Sequence, residues 1–390
     1  MPRALYLLAL AVFAMGTSEF MLAGLVPDIA TGLGVSVGAA GLLTSAFAAG
    51  MVIGAPLMAA FARRWPARAS LLAFVIAFAV AHIASAVTSS FVVLLVARVI
   101  AALANAGFLA VALRTATAMV AIDRRGRALA VLLGGTTLAT VLGVPGGALL
   151  GTVFGWRATF WAIALLCVPA AFGIALGVRD RSGPADGAGP TLRAELALLR
   201  SRPLIAVMAL GALVNGATFA AFTFLAPVVT DIAGLAPMWV TLALMLFGVG
   251  SFLGVSAAGR LSDHRPGRVL AVGGPLLVLG WPALAVTAHQ PWLLLGLVFT
   301  QGVLAFAVGS TLIARVLYAA AGAPSMGGSY ATAALNLGAV CGPALAALSL
   351  TYGTLGPVWV AAAMSGVAVL AALPARHLVT GPTAGSPAGR

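Results

Sequence analysis

Long apolar runs, broken at intervals by short clusters of Arg, Gly and Pro, fill most of the chain. They repeatedly reach the ~20 residues that a helix needs to cross hydrocarbon at about 1.5 Å per residue. Twelve spans can be drawn, over roughly 4–26, 38–62, 69–87, 91–118, 128–152, 157–178, 204–229, 238–258, 269–288, 291–317, 328–350 and 356–374. The first, Ala4 to Val26, is longer than a signal-peptide core and contains Glu19 without an obvious cleavage site, so it reads as a retained helix. The pattern predicts an all-α polytopic membrane protein.

One short pattern is written twice, about 200 residues apart: Gly50-x-x-x-Gly54 running to Pro66-x-Arg68, and Gly250-x-x-x-Gly254 running to Pro266-x-Arg268. A second echo ends the first span with Pro27-Asp28-Ile29-Ala30 and the seventh with Asp231-Ile232-Ala233. Repeats of this kind point to a duplicated domain whose halves are related by an axis along the membrane normal. The longest connection, Arg179 to Pro203, opens as a flexible linker. It continues with Leu192, Leu196 and Leu199 at helical spacing beside Arg193, Arg200 and Arg202, which suggests an amphipathic helix at the membrane interface. The expected division is a six-helix bundle over 1–178, a linker over 179–203, a second six-helix bundle over 204–376 and a flexible tail over 377–390.

Composition rules out a soluble fold. Hydrophobic residues make up 62% of the 390 and charged residues 7%, where soluble domains carry roughly a quarter charged. The formal charge of +13 invites a nucleic-acid reading, but the positions argue against it. Every basic residue is Arg, and the connections on one side hold Arg63, Arg64 and Arg68, then Arg124, Arg125 and Arg127, then the linker, then Arg260, Arg265 and Arg268. The other side holds Arg157. That asymmetry is the positive-inside pattern and places both termini in the cytoplasm. Cys167 and Cys341 lie in apolar runs as small hydrophobes, without a His or second Cys at ligand spacing, so neither disulfide, metal nor cofactor is expected.

Glu19 is the one carboxylate well inside a span. Keeping it charged in hydrocarbon is costly, and the proton exchange this favours is what a proton carrier needs; a structural hydrogen bond in the first helix pair is the plainer alternative. Arg98, in the fourth span, reaches a similar depth and is its natural electrostatic partner. Asn105 shares the Arg98 face, seven residues on, whereas Arg114 lies nearer the inner interface and is expected to snorkel. Gly143-Val144-Pro145-Gly146-Gly147 inside the fifth span predicts a bend or a tight helix seam, with Gly338 to Pro343 as a partial counterpart. Between spans eight and nine, Gly259 to Arg268 sets Asp263 among three Arg residues, an arrangement suited either to an ionic latch or to a solvated loop. His82, Asn215, Gln301 and Asn336 are further polar residues within spans, where interhelical hydrogen bonding competes with ligand contact. Asn215, Thr218, Phe219 and Phe222 form one polar and aromatic stripe that suits an amphiphilic aromatic ligand or simple core packing.

Taken in order, these segments resemble the major facilitator superfamily, and within it the twelve-helix drug:proton antiporters. GRLSDHRPGR at 259–268 is similar to the loop signature between the second and third helices of each half. LLVARVIAALANAGF at 94–108 resembles the fourth-helix signature, whose arginine falls on Arg98, and LGVPGGALLG at 142–151 resembles the antiporter signature of the fifth helix. RRGRALAV at 124–131 and GWRATFW at 155–161 fit the flanking patterns. GTSEFMLAGLVPDIA at 16–30 looks like the opening of the branch that holds chloramphenicol exporters and related sugar or nucleoside effluxers, with the first-helix acid on Glu19. The first-half loop departs from the pattern, carrying Arg63 where the second-half copy has Asp263.

The resemblance implies two pseudo-symmetric bundles of six transmembrane helices rocking around a central cavity lined by spans 1, 4, 7 and 10. It implies drug export in exchange for protons, with Glu19 and Arg98 in proton coupling. Asn105, Asn215, Phe219 and Gln301 are the candidate substrate contacts. Gly143, Pro145, Gly146, Gly147, Gly259, Asp263, Gly267 and Arg268 are the conformational positions. The expected working unit is a monomer in the lipid bilayer, with no nucleic-acid partner. A membrane-embedded enzyme is disfavoured, because no nucleophile-base pair, ligand cluster or phosphate loop is legible.

Overall fold

The computed structural model describes residues 2–61, 65–121, 124–178, 192–262, 266–323 and 326–374. Arg63, Arg64, Asp263, Arg265, the start of the linker and the 377–390 tail lie outside the described residues. Twelve principal helices follow one another: α1 (Arg3–Phe20), α2 (Val37–Phe61), α3 (Ala67–Val87), α4 (Phe91–Ala118), α5 (Arg127–Phe154), α6 (Trp156–Gly177), α7 (Arg202–Thr223), α8 (Met238–Ser262), α9 (Pro266–Thr287), α10 (Pro291–Ala319), α11 (Gly327–Ser349) and α12 (Gly356–Ala372). Eleven span segments of 21–29 residues are long and apolar enough to cross a membrane, α1 counted with the 3₁₀ turn Met21–Gly24 that extends it. α12 is shorter, at 17 residues, a rise of about 26 Å that sits at the low end of what a span requires. The chain is a multi-pass membrane protein.

The duplication is visible in the packing. In the first half α1 packs on α5 and α6, α2 on α4, and α3 on α4 and α6; in the second half α7 packs on α11 and α12, α8 on α10, and α9 on α10 and α12. Adding six to each helix number converts one set into the other. The repeated glycines occupy equivalent places: a Cβ on Gly50 would meet Ala102 and the Val99 carbonyl of α4, and one on Gly250 or Gly254 would meet the Phe299 or Val303 carbonyl of α10. Small residues at these points let two backbones touch, which is how helices associate where no hydrophobic force drives them together. The turns repeat as well. Gly34 and Gly234 both have φ of 64°, and Gly155 and Gly353 also adopt positive φ, a region that glycine enters without steric cost.

The most extensive contacts between the halves are α2 with α11 and α5 with α8, and the Met21–Gly24 turn adds smaller ones. Gly38 faces Ala347, Gly41 faces Phe224, Gly248 faces Thr140, and the Ser45 hydroxyl donates to the Val340 carbonyl at 2.8 Å. These contacts lie in the middle of the spans or toward the ends away from the arginine-rich loops. Large apolar side chains such as Phe172, Leu176, Leu279 and Val286 point outward, as a hydrocarbon environment permits. Cys341 is also exposed, while Cys167 is packed inside, so the expectation of two packed core thiols holds for one of them.

The linker helix, Leu192–Ala197, leaves Leu192, Leu196 and Leu199 exposed, in keeping with a face meant for the interface. Its docking face is turned about 90° from that stripe. Glu195 is 1% exposed and its carboxylate accepts the Met326 amide at 2.9 Å, while the Tyr330 hydroxyl donates to the Glu195 carbonyl at 2.9 Å. Met326 is the N-cap of α11, so a carboxylate caps a helix start, where orphan amides and the helix dipole both favour it. The linker helix is thereby fastened to the second half.

Candidate functional site

The centre of the site is the last turn of α1. The final carbonyls of an α-helix have no partner within it, and the helix dipole favours a cation there. Arg98 of α4 supplies that cation. Its Nη2 donates to the Ser18 carbonyl at 2.9 Å and its Nη1 to the Ser18 hydroxyl at 2.7 Å. The guanidinium lies over the Phe47 ring of α2, 4.4 Å from the centroid, an attraction worth ~2 kcal/mol when desolvated. Arg98 is 1% exposed, and its Nε has no partner.

Ser18 is bound on its other side by His82 of α3, with 2.7 Å between Ser18 Oγ and His82 Nε2. His82 Nδ1 lies 2.8 Å from the Phe78 carbonyl. Phe78 and Phe160 flank the imidazole, with ring centroids at 4.2 Å and 5.9 Å. Three helices of the first half therefore converge on one serine, in a buried pocket.

Glu19, the next residue, is half-buried, and the Arg98 charge acts on it. Arg98 is near enough for its charge to act on Glu19, yet among the described residues the Glu19 carboxyl makes no hydrogen bond: the two terminal nitrogens of Arg98 bond to Ser18 instead. A carboxyl so placed is open to a proton or to a ligand.

Phe20 carries the site across to the second half. Its ring stacks on Phe219 of α7 at 5.6 Å and meets Phe222 edge-on at 6.4 Å. The row continues from Phe222 to Phe247 of α8 at 4.7 Å and from Phe247 to Phe306 of α10 at 6.0 Å. An aromatic path thus starts beside Glu19 and crosses the seam between the halves. Asn215, one turn before Phe219, donates to the Leu335 carbonyl of α11 at 2.7 Å. Asn105 is buried two turns along α4 from Arg98, its amide 3.7 Å from the Met51 sulfur.

Gln301 stands apart from this group. It is 1% exposed and donates to the Leu277 carbonyl at 3.1 Å, tying α10 to α9 inside the second half. Its Oε1 and the Trp281 Nε1 have no protein partner, and both residues line a cavity of about 20 Å³ walled by Phe222 and Phe247. That is about the size of one water molecule. Asn336 bonds within its own helix, to the Thr332 carbonyl at 3.0 Å. Arg114 is exposed near the end of α4, as expected for a side chain reaching toward an interface.

The glycine-rich stretch of α5 forms the tight helix seam that was one of the two expectations for it. A π-helical turn, Ala139–Gly143, interrupts the helix before Pro145. A Cβ on Gly143 would strike the Thr17 hydroxyl, and one on Gly135 the Ala9 carbonyl, so α5 lies tightly against α1. Gly147 accepts a hydrogen bond from Thr159 of α6 at 2.8 Å, whereas Gly146 faces open space. The counterpart is real: a Cβ on Gly338 or Gly342 of α11 would strike the Ala212 or Gly216 carbonyl of α7. Of the loop residues, Gly259 and Arg268 are exposed and Gly267 is half-buried. Among the described residues no group of three His, Cys, Asp or Glu is placed to hold a metal ion.

Ser18, Phe20 and Phe47 were not singled out by sequence. Ser18 had one signal, its position beside the only acid well inside a span. Phe20 and Phe47 had none, being two of 18 phenylalanines.

Comparison with known proteins agrees with this architecture. The model of the Major Facilitator Superfamily matches residues 8–333. A chloramphenicol resistance protein of Streptomyces lividans is 65% identical over 383 residues, covering 97% of this chain and 98% of its own. The inner membrane transport protein YdhP of Escherichia coli is 32% identical over 348 residues, covering 89% and 88%. Among solved structures, a bacterial homologue of the human lysosomal transporter Spinster, in an inward-facing and unoccupied conformation, aligns with a TM-score of 0.71 at 17% identity over 96% of this chain and 95% of its own.

Proposed function

The chain belongs to the Major Facilitator Superfamily, and on that premise we propose that it exports chloramphenicol or a closely related drug from the cytoplasm in exchange for protons. It is a transporter rather than an enzyme. The observation that carries the proton part is the half-buried Glu19 carboxyl, free of hydrogen bonds and under the influence of Arg98, at the start of an aromatic row that leads into the other half. The drug's identity is supported by the high likeness to a chloramphenicol resistance protein along nearly the whole chain. A neutral aromatic drug matches stacked phenylalanines better than it matches an ion-pairing site.

In this reading the first half (1–178) and the second half (204–376) rock about the α2–α11 and α5–α8 seams, with residues 179–203 as the cytoplasmic connection. Both termini face the cytoplasm of a plasma membrane, and a single copy suffices. Drug enters from the arginine-rich side and lies near Phe20, Asn105, Asn215 and Phe219. Release outward is coupled to protonation of Glu19, and the proton is lost inside. Arg98 regulates that exchange by approaching or leaving the carboxyl. Gln301 takes part only if the second half opens between α9 and α10. Gly143, Pro145, Gly146 and Gly147 support the movement, and Gly259, Asp263, Gly267 and Arg268 serve as a loop latch.

The test is accumulation of radiolabelled chloramphenicol in cells expressing the chain, with and without a protonophore. Low accumulation that rises when the gradient is collapsed is the expected result. Accumulation equal to that of empty cells, with the protein verified in the membrane, would exclude this drug and direct attention to sugar or nucleoside export.

A further inference from the structure

We propose that His82 is a positioning residue for the proton-exchanging site: by holding the Ser18 hydroxyl, it keeps Arg98 bonded to Ser18 and off the Glu19 carboxyl. The inference rests on the reading of Glu19 as the proton carrier and adds a residue that reading does not use.

The direction of each hydrogen bond follows from the partners. The Phe78 carbonyl only accepts, so His82 Nδ1 donates to it across 2.8 Å and carries the ring hydrogen. Arg98 only donates, so the Ser18 oxygen accepts from Nη1 across 2.7 Å. A second cation sharing that same oxygen would be repelled by Arg98 in a buried site. His82 Nε2 is therefore the acceptor, and the single hydroxyl hydrogen of Ser18 is committed to it across 2.7 Å. Phe78, His82, Ser18 and Arg98 form one chain of donors and acceptors with a fixed sense.

That sense has a consequence for Glu19. A serine near the end of a helix ordinarily turns its hydroxyl back to a carbonyl one turn earlier. His82 prevents this and leaves the Ser18 lone pairs facing the guanidinium. With the Ser18 carbonyl taken by Nη2, both terminal nitrogens of Arg98 bond to one residue. Without His82 the hydroxyl is free to turn away, and Arg98 then has two buried donors, Nη1 and Nε, without partners. The carboxylate on the adjacent residue is close enough to feel the Arg98 charge, and an arginine paired to it would hold it ionised and slow proton exchange. Packing alone does not require this arrangement, since an apolar side chain would also fill the space between Phe78 and Phe160.

The experiment is a double-mutant cycle on protonophore-sensitive chloramphenicol efflux in everted vesicles, at matched amounts of protein. His82→Leu is expected to lower the maximal rate about tenfold, the scale of one lost charge-assisted hydrogen bond, and to change the half-saturating drug concentration less than about twofold. His82→Gln, whose amide oxygen can accept the Ser18 hydroxyl, is expected to keep most of the rate. In a Ser18→Ala background, His82→Leu should cost nothing further. An undiminished cost in that background, or full activity of His82→Leu, would overturn the proposal in favour of simple packing. Nitrogen NMR of histidine-labelled protein in lipid, with the His82→Gln sample for assignment, supplies an arm independent of the drug. A neutral ring protonated on Nδ1 is expected, and one protonated on Nε2 would overturn the proposal whatever the chain carries. Loss of efflux in the wild-type protein alone would count against the drug assignment and leave the NMR result to decide the role of His82.

Discussion

Arg98 gives both of its terminal nitrogens to Ser18 and neither to Glu19, the next residue along the same helix. A cation and an anion placed together in hydrocarbon ordinarily pair. Here the terminal nitrogens instead meet the hydroxyl and the helix-end carbonyl of one serine. The carboxyl can therefore change its protonation without breaking a hydrogen bond of its own.

Glu19→Gln follows directly. Because the carboxyl has no hydrogen bond to lose, the variant is expected to reach the membrane at wild-type level with little change in thermal stability, while gradient-driven efflux falls at least about tenfold. Drug binding to purified protein should persist. Gradient-dependent efflux at the wild-type rate would remove Glu19 from proton exchange.

The aromatic row predicts a graded loss of affinity. Phe219→Ala removes the contacts to Phe20 and Phe222, each worth ~0.5–1.5 kcal/mol beyond buried area. Half-saturating drug concentration should rise roughly 5- to 100-fold, as measured by concentration-dependent transport or by tryptophan quenching. Phe306→Ala, at the far end of the row, should have a smaller effect.

Neighbouring glycines in α5 should respond in opposite ways. Gly143→Ala pushes a methyl group into Thr17, at a seam where the helices have no room to separate, and is expected to reduce folded protein in the membrane severely. Gly146→Ala, three residues later, meets nothing within 4 Å and should be tolerated or mildly stabilising. Detergent-solubilised yield and melting temperature separate the two. Equal behaviour would mean that the stretch acts through chain flexibility rather than close contact.

Glu195→Ala removes a cap from α11 that is worth about 1 kcal/mol. The linker helix should detach more often, and trypsin should cut at Arg193 and Arg200 roughly fivefold faster under native conditions. Glu195→Gln keeps an acceptor for the Met326 amide and should fall between the two. Unchanged cleavage would show that the Tyr330 hydrogen bond and the packing of Leu198 near Gly322 suffice to hold the helix.

Most of the fold was legible because lipid imposes a simple rule on sequence. Spans must be apolar for about 20 residues, and connections gather the charges. The duplication was readable from Gly50, Gly54, Pro66 and Arg68 against their partners 200 positions on, since close backbone contact admits few residues other than glycine. The site was less legible. Glu19 and Arg98 stand out because charge is rare in spans, but Ser18 and His82 bond in ways that depend on how α1, α3 and α4 are rotated, and an all-round apolar helix gives no periodicity from which to read its rotation. Gln301 illustrates the same limit: its chemistry suits ligand contact, yet its helix turns it toward α9. Glu195 was hidden beside a leucine stripe that faces elsewhere.

The wide turn at Ala139–Gly143 has a consequence beyond α5 itself. On one side Gly143 touches Thr17, the residue before Ser18; on the other Thr140 and Val141 touch Gly248, across the seam between the halves. An extra residue accommodated in one turn is a stored register shift, and rewinding it as ordinary helix rotates the flanking segment by roughly 100°. The ionisable end of the first helix and the seam between the halves therefore bear on the same five residues. If Glu19 exchanges the proton as proposed, that turn is where its charge would act on the contact between the halves.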